Sequence, residues 1–240
     1  MTQIKSAAIH GEPTLNENLK KPWYRHATAA LAKHGAHKGI GTTLFITVFF
    51  VAYFDLLKHP AYPATVMPFT WADSLISFQP WAMPFYLSLW LYVSLPPALL
   101  ANRRELYGYG MAMAVTCLIG LIIFYFWPTV IPPVDIDWTQ YPNVDFLKNI
   151  DAAGNAFPSL HVATAVFSGI WLHHLLRRFG APVWILTLNG LWCVGIVYST
   201  IATRQHVMVD VLGGLLLGVL TAHFSLRYRV RPGHSLIDSK

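Results

Sequence analysis

The sequence predicts an all-α, polytopic membrane protein with six transmembrane helices and both termini in the cytoplasm. Of its 240 residues, 55% are hydrophobic and only 12% are charged, and the mean hydropathy is +0.44. This composition is too apolar for a soluble domain of that length and is typical of an integral membrane protein. The other two observations are the spacing of the apolar segments and the placement of the basic residues.

Six apolar segments have the length that a helix needs to cross a bilayer, about 20 residues. In chain order they cover residues 40–57, 82–101, 109–127, 160–176, 183–202 and 207–226. Prolines and polar residues blur the edges of the second and fourth segments. We expect a basic cytoplasmic segment over 1–39, a six-helix membrane domain over 40–226 and a cytoplasmic tail over 227–240. The polar start lacks the apolar core of a cleavable signal peptide, so the first span is expected to act as the anchor.

The basic residues orient these spans. All but three of the 17 Lys and Arg residues fall in the N-terminal segment, in the loops around Arg103 and Arg177, or in the tail. The positive-inside rule places those segments in the cytoplasm. The net charge of +6 is then explained by attraction to anionic lipid headgroups, so no nucleic-acid partner is expected.

Two segments are expected on the outer side. Residues 58–81 are interrupted by prolines and carry Trp71, Phe78 and Trp81, which suit the interfacial aromatic belt. A short helix at the outer membrane surface and a plain connecting loop are both compatible with this pattern. The acidic, proline-containing loop 128–157 is long enough to be either functional or disordered.

Two polar motifs fall on this same outer side. The first, NAFPSLHVA (155–163), lies where the long loop enters the fourth span. The second, TRQHVMVD (203–210), lies where the fifth span turns into the sixth. Ionisable residues at such positions are costly in a bilayer and indicate a functional site by default. Because hydropathy and loop charge alone set the topology, the convergence of the two motifs is informative.

In the first motif, Pro158 suits the first turn of a helix, where its missing N–H costs nothing. Ser159 and the unpaired N–H groups of that turn are a candidate phosphate site, and His161 lies in the same turn. Asn155 is either a helix-entry residue or a phosphate contact. Lys148, in the loop before it, is either a surface charge or a second cation for the phosphate.

In the second motif, His206 and Asp210 are four residues apart and would share one face of a helix. The carboxylate can accept one imidazole N–H, fix the tautomer and stabilise the cation, which leaves the other ring nitrogen free to attack. Arg204 is the one arginine on the expected outer side, and its guanidinium suits phosphate oxygens. With His161 as a proton donor and acceptor, these residues suit phosphoryl transfer through a phosphohistidine.

FPSLH and the H-x-x-x-D of QHVMVD resemble the second and third signature motifs of the type-2 phosphatidic acid phosphatase superfamily, and are most similar to its inositol phosphorylceramide synthase-like branch. The resemblance implies a six-helix membrane core and catalysis without a metal or other cofactor. It also implies roles, in which His206 attacks phosphorus, Asp210 orients it and His161 protonates the leaving group. The expected substrate is a lipid phosphate or phospholipid, reached from the periplasmic face of a bacterial inner membrane.

The sequence departs from this family pattern in the residues that bind phosphate. The usual first motif, a lysine followed by Arg-Pro, is absent, and PTVIPP (128–133) stands in its place. The usual Ser-Arg pair of the third motif is replaced by Ser199 and Thr200. Phosphate would therefore be held by fewer cations, Arg204 and Lys148 among them, which favours transfer to a lipid alcohol over hydrolysis.

Other interpretations apply to the remaining polar residues and to the function. His173 and His174 are expected to snorkel to the inner surface, and irregular spacing argues against a metal site among the N-terminal histidines. Cys117 and Cys193 fall inside predicted spans, so no disulfide is expected. The alternative function is a transporter or a catalytically silent scaffold, in which the same groups form a proton relay or an anion site. A transporter would favour inverted repeats and interrupted helices, and the sequence shows neither clearly.

Overall fold

A computed structural model describes residues 22–137, 140–141 and 154–229, so Lys148 and both chain termini lie outside the described residues. The helices and strands follow in chain order. They are α1 (Trp23–Ala32), α2 (Gly35–Lys58), β1 (Thr65–Val66), α3 (Trp71–Ser74), a 3-10 turn (Pro80–Ala82), α4 (Met83–Leu99), α5 (Arg103–Phe126), β2 (Thr129–Val130), α6 (Leu160–Phe179), α7 (Val183–Ala202) and α8 (Met208–Arg229).

Within these described ranges, six long helices run back and forth between two ends of a bundle. The end that carries residues 154–161 and 203–210 is called the motif end below. Short segments tie the helix termini together at each end, for instance through the hydrogen bond between the N–H of Ala156 and the carbonyl of Thr129. Since α2 leads towards the motif end and α8 leads away from it, the described chain starts and finishes at the opposite end.

Five helices of the described residues are long and apolar enough to cross a membrane. They are Gly35–Lys58, Pro80–Leu99, Arg103–Phe126, Val183–Ala202 and Met208–Arg227. They match five of the six predicted spans, and α7 has the predicted bounds. The remaining predicted span, 160–176, forms α6, which is 20 residues long but carries histidines and arginines. Twelve of those 20 residues are buried, and α6 packs against α4, α5, α7 and α8, so it is the central helix of the bundle.

Glycines allow α8 to lie directly against α6. At Gly214 an added Cβ atom would collide with the carbonyl oxygen of Ser159, and at Gly218 it would collide with that of Ala163. At Gly213 it would collide with the ring of Phe157. Gly214 and Gly218 therefore let the backbone of α8 approach that of α6 closely. Contact between backbones through small residues is a common way for membrane helices to associate.

The all-α prediction missed a small two-stranded sheet at the motif end. Strands β1 and β2 pair in parallel, with Thr65 opposite Thr129 and Val66 opposite Val130. Each strand is a β-branched dipeptide close to a proline, and both kinds of residue disfavour helix and favour extended backbone. The sheet attaches the beginning of segment 58–81 to the end of α5.

Segment 58–81 contains the short helix that was one of its two interpretations, but this helix has only four residues, Trp71–Ser74. Further along, the N–H of Gln79 donates to the carbonyl of Ala202 at 2.8 Å. The hydroxyl of Tyr198 donates to Oε1 of Gln79 at 2.7 Å. The segment is thereby fixed to the end of α7, next to the second motif.

At the opposite end, Lys38 joins three helices. Its ammonium group donates hydrogen bonds to the carbonyls of Ala30 at 2.7 Å and Ala98 at 2.6 Å, which lie in the last turns of α1 and α4. Carbonyls at a helix C-terminus lack a partner within the helix, so Lys38 caps both ends. Nearby, loss of solvent contact and then the Arg103 charge lower the pKa of His34. The membrane domain was expected to begin at residue 40, but this position lies inside α2, which begins at Gly35.

Candidate active site

The second motif places a histidine against a buried carboxylate. His206 Nδ1 lies 3.4 Å from Asp210 Oδ2, and the two side chains are 8% and 0% exposed. The same carboxylate oxygen accepts the N–H of Val207 at 3.1 Å, which holds it at the start of α8. His206 itself precedes α8, which begins at Met208, so the shared helical face predicted for the pair is corrected to a contact across a helix start.

Three buried polar atoms of this motif lack a hydrogen-bond partner among the described residues: Gln205 Nε2, His206 Nδ1 and Asp210 Oδ1. The distance between His206 and Asp210 is within the range of an ion pair, but it is long for a hydrogen bond and its geometry does not meet that criterion. Buried polar groups are normally paired with protein, water or a bound group. These three atoms are therefore candidates for contact with a ligand.

The first motif brings a second imidazole close to His206. His161 lies in the first turn of α6, and its ring centroid is 5.8 Å from that of His206. It stacks on Tyr86 of α4, with ring centroids 4.7 Å apart and an interplanar angle of 26°. The two motifs are also joined through the backbone, because the N–H of Ser159 donates to the carbonyl of Asp210 at 3.0 Å. The two rings are thus close enough to flank one phosphorus atom.

Ser159 and Asn155 both make hydrogen bonds that shape the entry to α6. Helix α6 begins at Leu160, so Pro158 precedes the helix and does not occupy its first turn as expected. The fully buried Ser159 hydroxyl accepts the N–H of Val162 at 3.3 Å and caps the helix. Asn155 adopts a φ of 51°, and its amide donates to the carbonyl of Tyr53 at 3.2 Å. Ser159 is the N-cap of α6, whereas Asn155 is a turn residue bonded to α2. A phosphate contact by either residue stays a prediction.

Arg204 lies at the motif end, two residues before His206. Its guanidinium donates to the backbone carbonyl of Asp73 at 3.3 Å and lies 5.5 Å from the centroid of the Phe69 ring. The backbone of Arg204 has a φ of 57°, which places the turn in the left-handed region. A guanidinium carries five N–H donors, so a single hydrogen bond leaves donors for an anion. Lys148, the second predicted cation, lies outside the described residues.

Sequence reasoning missed Asp73, which connects segment 58–81 to Arg204 and Met208 of the second motif. Its side chain is fully buried, and Oδ1 accepts the N–H of Met208 at 2.6 Å. Oδ2 accepts the N–H and the hydroxyl of Thr70 at 2.8 and 2.6 Å. The T-x-x-D spacing of Thr70 and Asp73 is a capping-box signal that could have indicated the short helix. Nothing in the sequence indicates the contact with Met208, which is 135 residues away.

A cavity of about 700 Å³ lies between α2, α4 and α5 and reaches the start of α6. His161 lies in its wall at the motif end, and Lys38 lies in its wall at the opposite end. Most residues between them are apolar or aromatic, Phe49 and Trp90 among them. His206 is not part of the lining, so the cavity reaches the pair of imidazoles from the side of His161.

The arrangement brings together two imidazoles, one from the turn before α8 and one from the first turn of α6. Asp210 faces Nδ1 of His206, which leaves Nε2 as the ring nitrogen that can act as a nucleophile. Imidazole exchanges protons near neutral pH, so His161 is suited to act as an acid and then as a base. In the part of the chain that the structure describes, no cluster of three or more His, Cys, Asp or Glu side chains could hold a metal ion.

Comparison with known proteins supports the resemblance seen in the motifs. A family model described as the PAP2 superfamily matches residues 104–233, more than half of the chain and inclusive of both motifs. The catalytic subunit of inositol phosphorylceramide synthase from Schizosaccharomyces pombe is 22% identical over 167 residues, covering 62% of this chain and 38% of that protein. Inositol phosphorylceramide synthase from Candida albicans is 25% identical over 174 residues, covering 63% of this chain and 34% of that protein.

The matched part of this chain corresponds to little more than a third of the length of these two curated relatives. No solved structure gives a significant match to the chain.

Proposed function

Because the chain belongs to the PAP2 superfamily, we propose that it is a membrane enzyme that cleaves or transfers the phosphoryl group of a lipid phosphate or phospholipid. The observation that carries this proposal is the placement of two imidazoles from separate motifs, with ring centroids 5.8 Å apart, beside a buried carboxylate. Two imidazoles and an acid at one end of a membrane bundle are costly to maintain for packing alone.

In the first half of the reaction, Nε2 of His206 attacks phosphorus and forms a P–N bond. The bond from phosphorus to the lipid alcohol breaks, and His161 gives its proton to the departing oxygen. Asp210 stabilises the imidazolium form of His206 that would otherwise be unfavourable in a buried site. The product of this half is a free lipid alcohol and a phosphorylated His206.

In the second half, His161 takes a proton from the acceptor hydroxyl, whose oxygen attacks phosphorus. The P–N bond breaks and its electron pair returns to His206, which restores the enzyme. The acceptor is water in a phosphatase and an alcohol in a phosphotransferase. The second candidate function is therefore a phosphotransferase, and it is supported by the similarity to two proteins named as inositol phosphorylceramide synthases.

Arg204 is the proposed cation for the phosphate, with the first-turn N–H groups of α6 as additional donors. Its guanidinium lies at the motif end and keeps donors available after its bond to the Asp73 carbonyl. Ser159, Asn155 and Lys148 are the further proposed phosphate contacts. No metal is required, because imidazole is a nucleophile without one.

We further propose that the chain spans the membrane six times, with α6 as the fourth span, and that both termini are cytoplasmic. The supporting evidence is that, among the described residues, every Lys and Arg except Lys58 and Arg204 lies near the end of the bundle opposite the motifs. In a bacterium the motif end then faces the periplasm from the inner membrane. The substrate would reach the site sideways from the lipid of the outer leaflet.

The test is turnover of a radiolabelled lipid phosphate by the protein purified in lipid nanodiscs. His206→Ala should abolish the release or transfer of phosphate. The matched control is His59→Ala, because His59 also lies next to an aspartate four residues away, at 3.1 Å from Asp55, but its side chain is 75% exposed. Equal turnover in His206→Ala and the unaltered protein would contradict the proposal and favour a transporter or scaffold. Adding a lipid alcohol to the same assay distinguishes transfer from hydrolysis, since only a transferase makes a labelled lipid product.

A further inference from the structure

We infer that the cavity between α2, α4 and α5 holds the hydrocarbon chain of the lipid alcohol that leaves phosphorus, and later that of any lipid alcohol that accepts it. This inference rests on the proposed function. It assigns one side of the active site to the alcohol and the other side to the phosphorylated histidine. It also predicts which residues limit the length of the chain.

The position of the cavity relative to the two histidines assigns its occupant. His161 is part of the cavity wall, while His206 is not. A displacement at phosphorus requires the attacking nitrogen and the leaving oxygen to lie on opposite sides of the phosphorus atom. The leaving oxygen is therefore on the side of His161, and the chain bonded to that oxygen continues into the cavity.

The same cavity serves the acceptor because the second half of the reaction reverses the first. When His206 releases phosphorus, the attacking oxygen approaches from the side opposite the P–N bond, where His161 takes its proton. That is the position the leaving oxygen has vacated. The departing and accepting alcohols therefore occupy the cavity one after the other, which requires the first to leave before the second enters.

The dimensions and lining of the cavity suit one extended hydrocarbon chain. Its wall includes residues of α2 from His37 to Phe54, which at the helical rise corresponds to about 25 Å. Its volume of about 700 Å³ is typical of a site for a small molecule and too small for a folded partner. At the end far from His161, the wall includes Lys38, whose ammonium group is bonded to the carbonyls of Ala30 and Ala98. A polar residue at that position marks the end of the apolar space.

Two glycines near that far end make the length of the cavity testable. Gly41 of α2 and Gly110 of α5 line the cavity, and a Cβ atom added at either would meet nothing within 4 Å. Larger side chains there would fill cavity space without displacing neighbouring atoms. Neither glycine has a positive φ, so a side chain is compatible with the backbone. Phenylalanine also has a higher helix propensity than glycine, so folding of α2 and α5 is not weakened.

The matched control is Gly39→Phe, on the same helix as Gly41. Gly39 also has nothing within 4 Å of an added Cβ, but it does not line the cavity. A second control is Gly190→Phe in α7, which has the same free space and also lies outside the cavity. These substitutions add the same bulk to membrane helices away from the cavity.

The experiment measures kcat/KM for hexadecyl phosphate and octyl phosphate in nanodiscs. The ratio of the long-chain to the short-chain value should fall by about tenfold or more in Gly110→Phe and Gly41→Phe. It should stay within about twofold of the unaltered protein in the two controls. An unchanged ratio in both cavity variants, with turnover intact, would overturn the inference, because the cavity would then hold only bulk lipid. Such a result would leave the proposed function standing.

Crosslinking gives an independent measurement that does not depend on turnover. Hexadecyl phosphate with a diazirine at the chain terminus should label cavity-lining residues near the far end, such as Met111 or Leu106. Labelling should decrease in Gly110→Phe but not in Gly39→Phe. Labelling confined to the lipid-facing surface of α7 or α8 would contradict the inference. If the unaltered protein did not turn over the lipid phosphate but its cavity were labelled, the proposed function would be contradicted and the assignment of the cavity would stand.

Discussion

Helices α6 and α2 are of similar length and both contact the active-site region, but they are packed in opposite ways. Twelve of the 20 residues of α6 are buried, whereas Lys38 is the one buried residue among the 24 of α2. Glycines of α8 bring its backbone against that of α6, while a cavity separates much of α2 from α4 and α5. Groups that must hold an exact distance lie on the tightly packed pair, and the space for a flexible hydrocarbon chain lies beside the loosely packed helix.

The same contrast appears in two histidine–aspartate pairs at the motif end. His59 and Asp55 belong to the α2 region and are 75% and 71% exposed. His206 and Asp210 are 8% and 0% exposed. Water screens the first pair, so it contributes little to stability or reactivity. The second pair is shielded from water, so the charges of its two side chains are screened much less than those of the exposed pair.

The largest expected effect follows from replacing the buried carboxylate. Asp210→Asn should lower kcat by roughly 10³–10⁴-fold, since an amide can present a donor to His206 and favour the wrong tautomer. Asp55→Asn is the control for the exposed pair and should leave kcat unchanged. Steady-state kinetics on a labelled lipid phosphate would measure both. A decrease of less than about threefold for Asp210→Asn would show that the buried pair is not catalytic.

Removing the proposed phosphate cation should have the next largest effect. Arg204→Ala should lower kcat/KM by about 10–100-fold, which corresponds to the loss of a charged hydrogen bond. Arg204→Lys should restore part of this loss, because it keeps the charge but not the planar fork. Lys58→Ala removes an exposed charge from the end of α2 and serves as the control. An equal decrease in kcat/KM for Lys58→Ala and Arg204→Ala would indicate a general effect of surface charge and contradict the role of Arg204 in binding phosphate.

The packing contrast itself is tested by adding one methyl group to each region. Gly214→Ala should destabilise the protein by about 1–3 kcal/mol, because the new Cβ would meet the Ser159 carbonyl and Val162. Gly39→Ala should change stability by less than about 1 kcal/mol, because nothing lies within 4 Å of its Cβ. Thermal unfolding in detergent would compare the two. Equal melting temperatures would contradict the difference in packing.

The smallest effect on kcat is expected at Asp73, which acts at a distance from phosphorus. Asp73→Ala removes the acceptor for the N–H of Met208 and for the two donors of Thr70, and should cost about 1–3 kcal/mol. The variant should also lower kcat more than it raises KM, because the start of α8 sets the position of His206. The control is Asp135→Ala, which replaces an exposed aspartate in the loop between α5 and α6 and should change neither stability nor kcat. A purely structural role would change the melting temperature and leave kcat per folded molecule unaltered.

Much of the helical architecture could be predicted from the sequence, because hydropathy reports directly on contact with lipid. The span 183–202 was predicted with its observed bounds, and the other five long helices were located to within six residues at either end, whereas α1 was not predicted. The most buried helix, α6, is the predicted span that is not apolar enough to count as a membrane helix by composition, because a helix surrounded by protein is not required to be apolar along its length. The strands Thr65–Val66 and Thr129–Val130 were missed because two residues carry no periodic pattern.

The two histidines and the aspartate of the candidate site could be proposed from the sequence, but the neighbouring side chains that contact this region could not. The motifs contain His161, His206 and Asp210 within short stretches, so their pairing needed only the topology. The ring of Tyr86 under His161 and the carboxylate of Asp73 at Met208 come from distant segments with no matching signal in the motifs. The cavity likewise arises from how three helices diverge, which no single helix encodes. Short sequence motifs therefore do not predict contacts between segments that are far apart in the chain.

The most direct test of the account is to trap the covalent intermediate. The purified protein would be mixed with a lipid phosphate, quenched within milliseconds at alkaline pH and digested for mass spectrometry. The account predicts a phosphoryl adduct on His206, which is absent in His206→Ala and retained in His59→Ala. A phosphoryl adduct on His161, or continuing turnover with no adduct on any histidine, would contradict the assignment of nucleophile and acid on which the mechanism depends.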